Sequence, residues 1–225
     1  MPLHHEALMC GRYVRKSPST VYAELFNVPT VPGTPSYNVA PTQSVAVVRQ
    51  ADDHREAVLM RWGLIPSWAK DMKMAQINAR GDTVATKPMF RAAFKKRRCL
   101  VLADGYFEWK AVGKKKQPFY FHRRDDKPFA FAGLWECWKG PDGPMESCAI
   151  ITTDANELSK PIHNRMPVIL PLAVCTPWLD PSIEDPAPLA ELLKPYPAGE
   201  MECYAVNPMV GNPRNNSPAY IERLP

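Results

Sequence analysis

The sequence predicts a single α+β domain with a mainly antiparallel β core and short peripheral helices, and three observations carry that prediction. Prolines number 25 in 225 residues, about twice the usual ~5%, which disfavours long regular helices. Short runs of β-branched and aromatic residues recur through the chain, separated by turn pairs such as Asp104-Gly105, Gly113-Lys114 and Asp125-Asp126. No strand–helix–strand alternation of the kind that builds a parallel sheet is evident. The length suits one domain with a proper core, and no repeat, low-complexity tract or linker divides it.

Taken in order, Ser17 to Val28 reads as a short helix: Ser17 or Ser19 can cap it, and Val21, Leu25 and Val28 fall at helical spacing. A loop with Pro29, Pro32 and Pro35 leads into Tyr37-Asn38-Val39-Ala40-Pro41. Ser44 to Arg49 and Ala57 to Trp62 form a hairpin across Ala51-Asp52-Asp53-His54. Lys87 to Lys96 reads as a basic helix with Pro88 in its first turn. Strands are expected at Cys99 to Ala103, Tyr106 to Lys110, Pro118 to Arg123, Phe129 to Trp135, Cys148 to Thr153 and Pro167 to Leu170, with Met201 to Val206 closing the sheet. Short helices are expected at Ala155 to Lys160 and Ala187 to Leu193.

Composition narrows the function classes. No stretch approaches the ~18 apolar residues of a membrane span, and Met1 to Leu8 lack the features of a signal peptide, so a cytoplasmic protein with no membrane partner is expected. The six cysteines contain no C-x-x-C pair, so neither a metal site nor a disulfide framework is indicated. A net charge of +5 is a mild bias toward an anionic partner. Two clusters carry much of it, Arg91 to Arg98 and Lys110 to Lys116.

Cys10 follows Met9 in Met9-Cys10-Gly11-Arg12. Taken alone it reads as one more small buried residue. If the mature chain begins there, it is a 1,2-aminothiol, whose amine (pKa ~7.7–8) and thiol (~8.5) together trap aldehydes as a thiazolidine. Glu108 alternates with aromatics in Tyr106-Phe107-Glu108-Trp109-Lys110, where strand geometry puts Tyr106, Glu108 and Lys110 on one face. A carboxyl among aromatics has a raised pKa suited to proton transfer; a solvent-facing glutamate paired with lysine fits the sequence equally. His163, in a loop stiffened by Pro161 and Pro167, is the best of the five histidines for acid–base work. Asn78 supplies donors and an acceptor, and Arg80 a planar fork suited to phosphate. Trp62, Trp68 and Pro41 are candidate flat surfaces for bases, although tryptophans are more often core.

These residues form an ordered set: Cys10-Gly11-Arg12, Tyr37-Asn38-Val39-Ala40-Pro41, Arg61-Trp62-Gly63-Leu64-Ile65-Pro66, Ile77-Asn78-Ala79-Arg80, Asp104-Gly105-Tyr106-Phe107-Glu108-Trp109, His163-Asn164-Arg165-Met166-Pro167 and Val210-Gly211-Asn212-Pro213-Arg214-Asn215. From Met9 almost to the C-terminus the set resembles the SOS response-associated peptidase (SRAP) family of abasic-site processing proteins. The resemblance implies a barrel-like antiparallel core and a positively charged groove for single-stranded DNA containing abasic sites, with no cofactor, in a monomer. It makes Cys10 the residue that bonds covalently to the abasic-site aldehyde, Glu108 and His163 the acid–base pair, and Asn78 a hydrogen-bonding group near the reacting centre. It makes Arg12, Asn38, Arg80 and Arg165 phosphate or sugar contacts, with Trp68 and Pro41 as stacking surfaces.

Three positions depart from the family pattern. Nine residues precede Cys10 where the pattern has only the initiator methionine, so residues 1–9 are expected to be a leader, removed or untranslated in the active form, and 10–225 the SRAP-like domain. Asn164 stands where aspartate is common, and Asp82 where a glutamate is more usual. Two other readings use the same residues: an N-terminal-nucleophile thiol peptidase or amidase, with Cys10 activated by His163, and a non-catalytic single-stranded DNA-binding module.

Overall fold

The structure, a computed structural model, describes residues 10–225; the expected leader lies outside the described residues. The elements run β1 (Tyr13–Arg15), α1 (Ser19–Phe26), β2 (Ser36–Val39), β3 (Ser44–Gln50), β4 (Arg55–Trp62), β5 (Asn78–Arg80), α2 (Arg91–Lys96), β6 (Arg98–Ala103), β7 (Gly105–Val112), β8 (Lys115–Arg123), β9 (Phe129–Gly140), β10 (Gly143–Asp154), β11 (Arg165–Pro167), β12 (Ile169–Leu170), α3 (Leu172–Leu179), α4 (Pro186–Ala190) and β13 (Met201–Ala205). None of the helices is long and apolar enough to cross a membrane.

Five strands close on themselves. β4 pairs with β3, β3 with β6, β6 with β9 and β9 with β10, all antiparallel, and β10 returns to β4 in parallel. The ring is therefore a mixed barrel, and its closure removes the exposed edges an open sheet would present. Beyond the ring, β10 also pairs with β5 in parallel and with β11 antiparallel.

The ring strands read as near-continuous apolar runs because both faces are buried. Alternate residues face inward, among them Val45, Val47, Cys99, Val101, Phe131, Cys148 and Ile150. The intervening residues, including Ala46, Val48, Leu100, Leu102, Ala132, Ala149 and Ile151, face outward onto Tyr22 and Phe26 of α1, Phe94 of α2, Trp178 of α3 and Leu189 of α4. A second, five-stranded sheet in the order β13-β8-β7-β1-β2 shares the interior cluster. Its Tyr13 meets Trp62 and Phe131 edge-on, with ring centroids 5.3 and 5.8 Å apart.

The structure changes several expectations. Neither Ser17 nor Ser19 caps α1; Pro18 occupies the N-cap, the Ser17 hydroxyl donates to Asp104, and Ser19 Oγ accepts from Arg15. The helix buries Tyr22 and Phe26, while Val21 is exposed. The basic helix begins only at Arg91, after a series of turns. The helix expected at 155–160 is absent: residues 157–160 form turns, with Lys160 N–H on the Asn156 carbonyl at 2.9 Å, and Pro161 stops the run there. α4 is shorter than expected, starting where Asp185 caps the Ala187 N–H. α3, with Pro177 inside it, and the short strands β1, β2 and β5 were not anticipated.

One turn fixes the geometry on which the site depends. Asp104, buried between β6 and β7, accepts from the backbone N–H groups of Lys16 and Ser17 and from the hydroxyls of Ser17 and Tyr22. This carboxylate ties the segment after β1 to the start of β7. Gly105 follows because the chains approach closely: a Cβ there would lie 2.5 Å from the Phe121 carbonyl oxygen and from the Tyr120 ring. Gly105→Ala is expected to destabilise the fold by roughly 2–4 kcal/mol through overpacking against backbone, read as a lower urea midpoint at unchanged m-value.

Candidate active site

Cys10 sits just ahead of β1, at φ +44°, the left-handed region that a non-glycine residue adopts only when its surroundings impose it. The imposition is visible: the Cys10 nitrogen donates to Glu108 Oε1 at 2.7 Å. Both residues are buried, at 3% and 2% exposure. Pairing of β1 with β7, Tyr13 opposite Tyr106 and Val14 opposite Gly105, brings them together, and Phe107 N donates to Arg12 O at 3.0 Å.

Burial raises the Glu108 carboxyl pKa, offset in part by the hydrogen bonds from Cys10 and by nearby His163. Burial also pushes the Cys10 thiol up; the Glu108 charge adds to this, and the Arg165 guanidinium opposes it. A carboxyl raised toward neutrality can hold a proton and release it, which is what a general acid or base requires.

His163 shares a cavity of about 370 Å³ with Gly11, Arg12, Pro41, Glu108, Trp109, Lys116 and Gly211. His163 Nδ1 lies 3.1 Å from the Arg165 backbone nitrogen and 3.3 Å from the Arg165 carbonyl oxygen, so the Arg165 backbone orients the ring. The His163 backbone N–H is held by the Ser159 carbonyl at 2.9 Å. Ser159 Oγ in turn lies 3.2 Å from the Tyr106 hydroxyl, so a polar contact links β7 to the turn that carries His163. Asn78 opens β5 opposite Ile150 of β10 and is half-buried. Tyr106 and Ser159 were not singled out from the sequence. The alternation that places Tyr106 beside Glu108 was the available signal; Ser159 lay inside the helix expected at 155–160.

The residues expected to touch DNA divide into two groups. Trp68 is 56% exposed on a loop pinned by Ile65 and Ala69, whose carbonyl takes the Trp138 Nε1–H at 2.7 Å; Pro41 lines the cavity mouth. Arg80 is exposed and forms a two-pronged ion pair with Asp82 at 3.1 and 2.6 Å. Arg12 is half-buried and partly committed, Nη1 to Asn38 Oδ1 and Val210 O, Nη2 to Gly211 O.

Asn38 and Arg165, in contrast, are held inside the protein. Asn38 Nδ2 reaches the carbonyls of Val210, Asn212 and Asn215 at 2.8–3.0 Å, so it anchors the loop that walls the cavity. Arg165 donates to Asp154 Oδ1 and Thr152 O, both at 2.7 Å. Trp62 is not a surface for bases: it is fully buried, with its indole N–H on Ile77 O at 2.9 Å. Among the described residues no group of three or more His, Cys, Asp or Glu side chains is placed to hold a metal ion.

The model of the SOS response associated peptidase (SRAP) family matches residues 9–213. The chain is 44% identical over 222 residues to the abasic site processing protein YoqW of Bacillus subtilis, covering 95% of this chain and 99% of that one. It is 40% identical to the abasic site processing protein YoaM of the same organism, covering 95% and 98%. A crystal structure of a protein from Bacteroides thetaiotaomicron superposes with a TM-score of 0.77 at 31% identity, covering 93% of this chain and 91% of that one. With the family model spanning nearly the whole described chain and the fold shared, this chain belongs to the SRAP family.

Proposed function

We propose that this protein processes abasic sites in single-stranded DNA by forming a covalent thiazolidine between Cys10 and the aldehyde of the opened deoxyribose. The observation that carries the reading is the Cys10 nitrogen on Glu108 Oε1 at 2.7 Å, both residues being buried. The active form begins at Cys10, residues 1–9 having been removed or never made, so that this nitrogen is an amine.

Glu108 and His163 then exchange protons with the sugar and the amine. A protonated carboxyl promotes opening of the closed sugar to its aldehyde. The Cys10 amine adds to the carbonyl carbon to give a carbinolamine, which loses water to become an imine. The thiol then adds across the C=N bond, its proton passing to nitrogen, so the net reaction is aldehyde plus aminothiol giving thiazolidine plus one water. Ring closure removes the imine that would otherwise undergo β-elimination and nick the strand. Removal of the leader, if the protein performs it, hydrolyses the Met9–Cys10 amide at the same nitrogen, with Glu108 placed to protonate the departing amine. Trp68 and Pro41 supply surfaces for bases flanking the gap, and Arg12 and Arg80 supply charge for the phosphates.

Two expected outcomes test this. Cys10→Ala in the processed form should lose the heat-stable adduct with an abasic oligonucleotide by at least about 100-fold while retaining strand nicking, read on denaturing gels; a heat-stable adduct of that variant would refute the reading. Intact-mass measurement of the crosslinking wild-type protein should give a chain starting at Cys10.

Glu108→Gln should abolish crosslinking yet stabilise the fold near neutral pH. A carboxyl with a raised folded-state pKa contributes fully only below its unfolded value of ~4.3, and that contribution is lost as pH rises through the folded value. Thermal unfolding should therefore show the variant above wild type at pH 7–8, with the gap closing toward pH ~4; a gap that widens on acidification would contradict the buried-carboxyl assignment.

A further inference from the structure

We infer that the β7–β8 ribbon is a basic arm that holds the DNA strand on one side of the abasic nucleotide, an inference that rests on the single-stranded DNA reading above. The ribbon outruns its sheet. β1 pairs with β7 only as far as Tyr106, and β13 pairs with β8 only as far as Phe119. Beyond Trp109 and Pro118, which face each other, the two strands have only one another as strand partners. Residues 110–116 are all exposed, including Val112 at 58% near the tip, where Gly113 turns the chain at φ +59°.

This projecting segment carries Lys110, Lys114, Lys115 and Lys116 and no acidic residue. The lysine ion pairs among the described residues are Lys16–Asp126, Lys96–Glu184 and Lys194–Glu191, none of them on the ribbon. Three consecutive ammonium groups on a two-stranded ribbon repel one another and weaken a structure that is marginal without flanking strands, so the arrangement is one that an anionic polymer would stabilise. The other basic cluster is partly committed: Arg97 pairs with Glu136, Lys96 with Glu184, and Arg98 donates to the carbonyls of Phe94 and Trp178, while Arg91 and Lys95 are exposed.

Position supplies the direction. Glu108 and Trp109 at the base of the ribbon and Lys116 farther out line the same cavity as His163, so the ribbon runs outward from the reacting centre. From Glu108 to the tip is five residues, ~17 Å at ~3.4 Å per residue, the length of about five nucleotides at a stacked rise of ~3.4 Å. A strand leaving the cavity along the ribbon meets Lys110, Lys115 and Lys114 in succession, on one side of the lesion only.

The test uses the combined variant Lys110→Gln, Lys114→Gln, Lys115→Gln in the processed full chain. The probes are single strands carrying a non-reactive tetrahydrofuran abasic analogue: one with two flanking nucleotides on each side, one extended to ten on the 5′ side, and one extended to ten on the 3′ side. Wild type should bind one extended strand more tightly than the short one. The variant should lose about tenfold on that strand relative to the short one, and its log K against log salt slope should flatten by about 2, at ~0.7 per contact for three contacts. An unchanged slope, or an equal loss on both extended strands, overturns the one-sided arm. Failure of wild type to crosslink a natural abasic oligonucleotide would instead sink the underlying reading, leaving these binding measurements intact.

Discussion

The structure is organised around a carboxylate held out of water against Cys10, just ahead of the first strand. Glu108 has no ion-pair partner within bonding distance among the described residues; it has the nitrogen of Cys10 and the field of His163. Burying a carboxyl this way is costly, and the cost is expressed as a pKa shifted toward the protonated form. The same desolvation gives the group its chemical use. A glutamate in water at neutral pH is an anion with little to donate, whereas one on the barrel side of β7, among aromatic rings, can alternate between proton donor and acceptor.

Much of the remaining architecture serves to keep that contact in place. The Asp104 carboxylate fastens the chain after β1 to the start of β7, so Cys10 and Glu108 are registered by a hydrogen-bonded turn and a strand pairing instead of by the side chains that react. On the opposite wall, His163 is oriented by backbone: the Arg165 peptide holds the ring and Ser159 O fixes the turn. Arg165 itself is anchored through Asp154 and Thr152, and from there its charge reaches the Cys10 thiol. The side chains that line the candidate site are thereby distinct from the groups that position them, and the positioning groups lie on rigid elements.

The sequence disclosed the residues that line the candidate site better than the groups that hold them. Glu108 was legible because aromatics flank it within a run of strand residues, and His163 because Pro161 and Pro167 bracket its loop. The hairpin of β3 and β4 and the strands from β6 to β10 were legible because β-branched runs are punctuated by turn residues. Asn38 and Arg165 read as solvent-facing contacts, since nothing local signals that their partners are carbonyls 172 to 177 residues away and an aspartate across a turn. β1, β2 and β5 are three or four residues long, too short for a period to emerge. α3 was concealed by Pro177, and the turns after β10 were mistaken for a helix because a single capped turn, stopped at Pro161, carries the same local signals as a helix start.

The clamp formed by Asn38 and Arg12 on the loop from Val210 to Asn215 has a bearing on biosynthesis. The wall of the cleft beside the first residue of the domain is supplied by almost the last. A nascent chain emerging from the ribosome exposes Cys10 at the outset, yet cannot complete the enclosure around it until translation is all but finished. Throughout elongation the cysteine therefore lacks both the burial and the Glu108 contact that the finished cleft imposes on it.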